Sequence, residues 1–262
     1  MMEEMERDVL IAAALYVAAK APRVGLAKTR LGRSIGHEFA IALYRAFLRD
    51  LAARFADAPF ECSWYVTPSD AWADISPLVG WDGCRARVLF QKEGDWTERQ
   101  QELFREAATR GEERVVLIAS DSPHLTVEVV ALAFRELDRH DLVFGPTHDG
   151  GYYLIGMRGF HDVLRGVAMS TGTELDGIST RAEHAGLSVG WVEPTFDVDE
   201  VEDLEHLRPL AATRADLAAT RATLEKLGLN EDRRHTTFDP NGTRSTAASP
   251  ATGPAATAEE PE

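Results

Sequence analysis

The chain has 262 residues, 44% of them hydrophobic, and a formal charge of −15 from 28 Lys and Arg against 43 Asp and Glu. That length and apolar content suit one α/β domain with a real core. The acid surplus excludes a general nucleic-acid binder, which needs a basic surface to neutralise phosphates, while leaving room for a local basic pocket.

Residues 1–8 form a polar leader. The apolar run at 9–19 is about half a membrane span and ends at Lys20. Glu3, Glu4 and Glu6 precede it, so the positive n-region of a signal peptide is missing. It reads as the first core strand, with no membrane span and a cytoplasmic location expected. Cys62 and Cys84 lack metal-ligand spacing; buried free thiols in a reducing compartment are expected, with a pairing between the two left open.

Residues 20–33, read as a loop, carry five basic side chains, Lys20, Arg23, Lys28, Arg30 and Arg33, along with Gly25 and Gly32. In so acidic a chain this local excess makes a phosphate cradle plausible, although the Walker A spacing is absent. A solvated basic loop is the competing reading. Over residues 36–55, Phe39, Leu43, Phe47 and Leu51 recur every four positions, which predicts a core-packing helix with Arg45, Arg49 and Asp50 off its apolar stripe. Residues 62–67 predict a second strand stopped by Pro68. A short helix or loop follows around Trp72, Ile75 and Leu78, then a third strand at 87–91. A helix follows to about residue 110, with Thr97 as its N-cap and Gln100 completing a near capping box.

Residues 115–120 hold five apolar side chains, three of them β-branched, as a strand covered on both faces does. Pro123 breaks it, and Thr126 is a good cap for the helix predicted over 126–139. Asp121 therefore stands at the carboxyl end of a central strand, where open α/β sheets place ligands; taken alone, an Asp there reads more readily as a turn or cap residue. Residues 141–146 form another buried strand. They lead into His148, Asp149, Gly150 and Gly151, where glycines permit positive φ or close approach to a ligand, and where Asp-Gly is also a hairpin signal. Tyr152 to Met157 would be the returning strand, antiparallel within an otherwise parallel sheet. Hydroxyls at 170–173 open a helix predicted over 173–185, and a strand follows at 187–192. Five acidic side chains then fall within residues 197–203. They repel one another unless solvated or bound to a cation, and an acidic helix start explains them as well. Helical material continues to about 227, and residues 229–262 have the composition of a disordered tail.

Alternating strands and helices predict one α/β domain over 9–228. Several of its segments resemble a bacterial family in the nucleotide-diphospho-sugar transferase (GT-A) superfamily, the glycosyltransferase-like DUF2064 proteins, relatives of 2-phospholactate guanylyltransferase. The resemblance rests on Lys20 to Leu31, with Ala21 intervening before Pro22, and on Leu43 to Asp50. It rests also on Ser120 to Pro123, Gly145 to Gly156 and Asp197 to Asp199, so that it spans about residues 9–210. It departs at 93–99, where the family more often reads Gln-Gly-Asp-Leu-Gly-Glu-Arg. The resemblance implies a single-domain GT-A (Rossmann-like) fold, a mixed, mainly parallel sheet flanked by helices. It further implies a nucleoside triphosphate or nucleotide-sugar with a divalent cation, Mg²⁺ or Mn²⁺, across the pyrophosphate. Lys28 and Arg30 would contact phosphates within a binding segment that includes Lys20, Gly25 and Thr29. Asp121, Asp197 and Asp199 would hold the metal, and Asp149, Gly150 and Gly151 would line the second-substrate side. Asp121, Asp149 and Lys28 are the expected catalytic residues.

Two reactions fit these residues. One is glycosyl transfer from a nucleotide-sugar to a small acceptor, with Asp149 as base or as a mere turn residue. The other is nucleotidyl transfer to a phosphorylated acceptor, which needs no base. A non-catalytic nucleotide-binding protein is the third reading, and the retained acidic residues argue against it. No Gly-x-Gly-x-x-Gly follows the first strand, which disfavours a dinucleotide-dependent oxidoreductase. The oligomeric state is left unspecified.

Overall fold

The computed structural model describes residues 13–80, 87–167 and 171–235. The polar leader, residues 9–12 of the first apolar run, Cys84, Ser170 and the tail from 236 onward lie outside the described residues.

Strand β1 (Ala13–Lys20) is the axis of the sheet. Its side chains alternate between the two faces. Leu15 and Val17 join one apolar cluster, and Ala14 and Tyr16 join the other. This is the period-two pattern of a strand covered on both sides. Six further strands are β2 (Glu61–Thr67), β3 (Val88–Phe90), β4 (Arg114–Ala119), β5 (Leu142–Pro146), β6 (Tyr152–Arg158) and β7 (Val189–Trp191). Their order across the seven-stranded sheet is β3-β2-β1-β4-β6-β5-β7. All neighbours run parallel except β6, which is antiparallel to both β4 and β5. The expected mixed, mainly parallel sheet is borne out, including the returning strand after Gly151.

The helices are α1 (Thr29–Ile35), α2 (His37–Phe55), α3 (Trp72–Val79), α4 (Trp96–Thr109), α5 (Val127–Glu136), α6 (Glu174–His184), α7 (Asp203–Thr213) and α8 (Ala218–His235). Helices α4 and α6 cover one face of the sheet, and apolar residues of the other six pack on the opposite face. Phe47 and Leu51 of the predicted stripe are completely buried. Helix α8 continues seven residues past the boundary expected at 228.

Two expectations are corrected. The basic segment 20–33 is not one loop, because its last five residues begin α1. The capping box of α4 sits two residues earlier than expected. Asp95 accepts from Glu98 N at 2.8 Å, and Asp95 N donates to Glu98 at 2.9 Å. Thr97 is instead buried, and its hydroxyl donates to Val167 O at 3.1 Å. Asp50, although off the apolar stripe, is buried. It is 5% exposed and accepts from the backbone N–H groups of Ala219 and Thr220, capping the start of α8. Thr126, by contrast, caps α5 as expected, accepting from Val129 N.

The chain leaves β1 toward β2 on one side, and β4 later returns to its other side. That reversal opens a crevice at the carboxyl ends of β1 and β4, the place where such sheets bind ligands.

Candidate functional site

A cleft of about 540 Å³ lies at this end of the sheet. From the first basic segment, Lys20, Lys28, Thr29 and Arg30 line it. Asp121 reaches it from the end of β4, Asp149 and Gly151 from the β5–β6 turn, and Asp197 and Asp199 from the segment before α7. Gly25 and Gly150 are not among its lining residues. Gly150 instead packs against the next loop. With φ at +89°, a Cβ there would meet Gly172 O at 2.0 Å, so this close approach requires glycine. His148 is exposed and does not line the cleft.

Lys28 is the centre of the half of the cleft lined by the first basic segment. Its side chain is 2% exposed and its ammonium pairs with Asp121 and, at 3.0 Å, with Asp199. It also donates to Val198 O at 2.8 Å. Burial works to lower its pKa, but the charges of Asp121 and Asp199 outweigh that and raise it above the usual lysine range. The ammonium is therefore charged at neutral pH. Arg30 extends the cluster outward, donating to Asp199 at 2.5 Å and to Glu200 at 3.1 Å.

Local bonding explains why residues so distant in sequence meet. Val198 N donates to Asp121 O at 3.0 Å, pinning the late acidic segment to the end of β4. Ser122 Oγ donates to Phe196 O and to Asp197 Oδ1 at 2.8 Å. Asp203 accepts from the N–H groups of Asp199 and Glu200, fixing the bend before α7. The acidic run thus divides its work: Asp197 and Asp199 face the cleft and Asp203 holds the turn. Below, Tyr44 OH accepts from Lys20 N at 3.0 Å and bonds Ser120 Oγ at 2.8 Å, tying α2 to the ends of β1 and β4.

The carboxylates differ electrostatically. Burial, then the charge of Asp121, pushes Asp197 up to about 7, while the Ser122 bond and Lys28 pull against that rise. Burial also opposes ionisation of Asp199, but Lys28 and Arg30 overcome it and hold that carboxyl below its usual value. Asp121, Asp197 and Asp199 supply the hard oxygens that Mg²⁺ or Mn²⁺ takes. Their present arrangement is different: Lys28 bridges two of them, and no group of three or more His, Cys, Asp or Glu side chains among the described residues is placed to hold a metal ion. The donor types fit a divalent cation, and their arrangement as it stands does not.

The other half of the cleft was not legible in the sequence. Trp96, Arg99, Gln100, Tyr152 and Glu174 line it. Gln100 is fully buried and bonds Tyr152 OH through both atoms of its amide, at 2.9 and 3.1 Å. Asp149 spends one oxygen on the turn itself, accepting from Thr147 Oγ1 at 2.5 Å and from Gly151 N at 3.2 Å. The available signal was Gln100 within the amphipathic pattern of α4, since a polar residue at a buried helix position needs a partner.

Residues 51–171 match the model of a family described as "Uncharacterized protein conserved in bacteria (DUF2064)", which bears out the resemblance read from the sequence. A crystal structure of a candidate nucleotide-diphospho-sugar transferase from Desulfovibrio desulfuricans G20 is similar, with a TM-score of 0.76 and 29% identity over 87% of this chain and 99% of that chain. The 4-diphosphocytidyl-2C-methyl-D-erythritolsynthase from Anaerococcus prevotii DSM 20548 has a TM-score of 0.50 and 12% identity over 83% of this chain and 99% of its own. At that identity the likeness is one of fold alone. No curated protein matches the chain.

Proposed function

With residues 51–171 matched to that family and the fold shared with a candidate nucleotide-diphospho-sugar transferase, we propose that the protein is a transferase using a nucleotide-activated donor, with a nucleotide-sugar as the donor. The carrying observation is the buried, charged Lys28 at the switch point of the sheet, inside a cleft of a strongly acidic protein. A diphosphate placed there would receive the Lys28 ammonium and the Arg30 guanidinium, whose fixed positive charge stabilises a leaving nucleoside diphosphate without reorganisation. Both groups now rest on carboxylates, so phosphate would replace a partner rather than meet a naked cation.

The far half of the cleft favours glycosyl over nucleotidyl transfer. A phosphorylated acceptor calls for cations, whereas among the described residues that half presents Asp149 and Glu174 against the single cation Arg99. Asp149 is the side chain there suited to take a proton from an acceptor hydroxyl. Nucleotidyl transfer to a phosphorylated acceptor is the alternative that this charge balance disfavours.

A Mg²⁺ or Mn²⁺ ion is a separate proposal. Its ligands would be Asp121, Asp197 and Asp199, and its binding requires Lys28 to release at least one of them. The test is a thermal-shift screen of nucleotide-sugars and nucleoside triphosphates, each with and without Mg²⁺ or Mn²⁺. Binding linkage should raise the midpoint with at least one nucleotide-sugar. A further rise with metal that disappears in Asp121→Asn would support the metal proposal; equal shifts with and without metal would remove it. Silence across the whole panel would remove the nucleotide reading.

A further inference from the structure

Glu174 is the first residue of α6, where a negative charge is ordinarily favourable and solvated. Here it is 3% exposed, yet it lines the cleft. Its Oε1 accepts from Thr171 N at 2.6 Å, while its Oε2 is buried with no hydrogen-bond partner. No basic side chain among the described residues pairs with it in a salt bridge. A buried carboxylate oxygen without a partner is costly, and native structures seldom keep one without a use. Its loop is held deliberately in place. Leu175 N donates to Gly150 O at 3.4 Å, and Gly172 packs on Gly150, so the β5–β6 turn and the start of α6 form one wall.

The surroundings define what would satisfy that oxygen. Carboxylate oxygens need a donor. The neighbouring polar groups are Gln100 and Tyr152, bonded to each other, and Thr147, bonded to the Asp149 carboxylate, with Arg99 lining the same half. Glu174 adds to the upward shift of the Tyr152 phenol, which burial dominates and the Gln100 bond opposes; the carboxylate and the phenol therefore share one region. Trp96, half-buried at the same cleft, adds an aromatic ring, with the Arg99 guanidinium 5.9 Å from its centroid. Hydroxyl-matching groups beside an aromatic ring suit a polyhydroxylated molecule.

We propose that Glu174 is a specificity-determining residue of the second-substrate half, and that its free oxygen accepts a hydroxyl of a small polyol or sugar. This rests on reading the cleft as a two-substrate site, and it adds the acceptor's chemical class and the residue that selects it.

The test uses the full chain and its Glu174→Gln variant, in which an amide N–H₂ can replace the accepting oxygen at nearly constant shape. Ligand-observed NMR is run with glycerol, myo-inositol and D-glucose, and separately with ethanolamine and inorganic phosphate. At least one polyol should bind the wild type and weaken about tenfold or more in the variant, the range expected for loss of a bond to a charged group. Thermal melting supplies a readout that a structural role would move the other way. Because the carboxylate is left half-satisfied, Glu174→Gln should raise the melting temperature by about 2–4 °C, whereas a structural glutamate would lower it when replaced. No polyol response in the wild type, equal response in both proteins, or preference for ethanolamine or phosphate would overturn the proposal, as would a fall in melting temperature. The donor half is read separately from nucleotide-dependent melting shifts of the same proteins. A missing shift in the wild type contradicts the nucleotide reading, while the polyol result stands or falls on its own.

Discussion

Lys28 combines burial, charge and an unusual backbone. At φ 50° and ψ 39° it is the sole non-glycine residue with positive φ among the described residues. A left-handed conformation costs a side-chain-bearing residue about 1 kcal/mol, and the bonds from its ammonium hold it there. Replacing it separates the two effects. Lys28→Ala loses the ammonium and keeps the strain; Lys28→Gly loses both. Chemical denaturation should therefore find Lys28→Gly more stable than Lys28→Ala by about 1 kcal/mol, and the reverse order would deny the strain. A second residue, His124, sits just beyond Asp121, stacked on Phe196 at 4.2 Å and bonded to Thr195 Oγ1 at 2.7 Å. Burial, then the charges of Arg214 and Arg54, lowers it to about 4 from a usual 6.5. The folded protein thus holds it neutral where the unfolded chain protonates it. Its contribution to stability is fully present above pH 6.5 and is lost as pH falls toward 4, on the order of 3 kcal/mol in all. Asp197 acts in the opposite sense, because its raised pKa favours the folded state as pH falls from about 7 toward 3.8. The difference between wild type and His124→Gln isolates the histidine: the wild type should lose more stability between pH 7 and pH 4.5. Parallel pH profiles would contradict the assignment.

At the scale of elements, the turn that presents Asp121 is braced from below. Arg54 of α2, its side chain 5% exposed, donates to Pro123 O and Leu125 O at 2.5 and 2.9 Å, and Arg214 donates to His124 O at 2.6 Å. Both arginines also pair with Asp216, which they hold well below its ordinary value, the Arg214 bond contributing most. Asp50 joins α2 to α8 through two backbone N–H groups. Removing such a cap costs about 1–2 kcal/mol. Asp50→Ala should lose that much in denaturant melts and should speed amide exchange at Ala219 and Thr220; unchanged exchange would refute the cap. These links mark where sequence reading stopped. Strand and helix identities were legible because apolar period is a local property, visible in Phe39, Leu43, Phe47 and Leu51. Asp50 lies off that stripe and looks solvated until α8 is placed on it. The same holds for the α4 box: Thr97 is a good cap by type, yet Asp95 and Glu98 meet the reciprocal geometry and Thr97 faces Val167.

For the whole molecule, a seven-stranded sheet gathers chemistry from both ends of the chain into one crevice. Lys28, Asp121, Asp149, Asp197 and Asp199 could be picked out beforehand because each follows a strand end or breaks a composition trend. Their mutual contacts could not, since the ion pair between Lys28 and Asp199 spans 171 positions. Glu174 was wholly hidden: its burial and its idle oxygen exist only once the β5–β6 turn packs on the start of α6. The net charge of −15 disfavours anionic ligands at long range. On the proposed reading, recognition of a diphosphate therefore falls to Lys28 and Arg30 at short range. Isothermal titration of nucleotide-sugars into wild-type protein and Lys28→Met tests this most directly. The account predicts that at least one nucleotide-sugar binds the wild type and that the variant, still folded, binds it at least tenfold more weakly, a loss of about 1.4 kcal/mol or more. Equal affinity in both proteins, or no binding to the wild type, would contradict it.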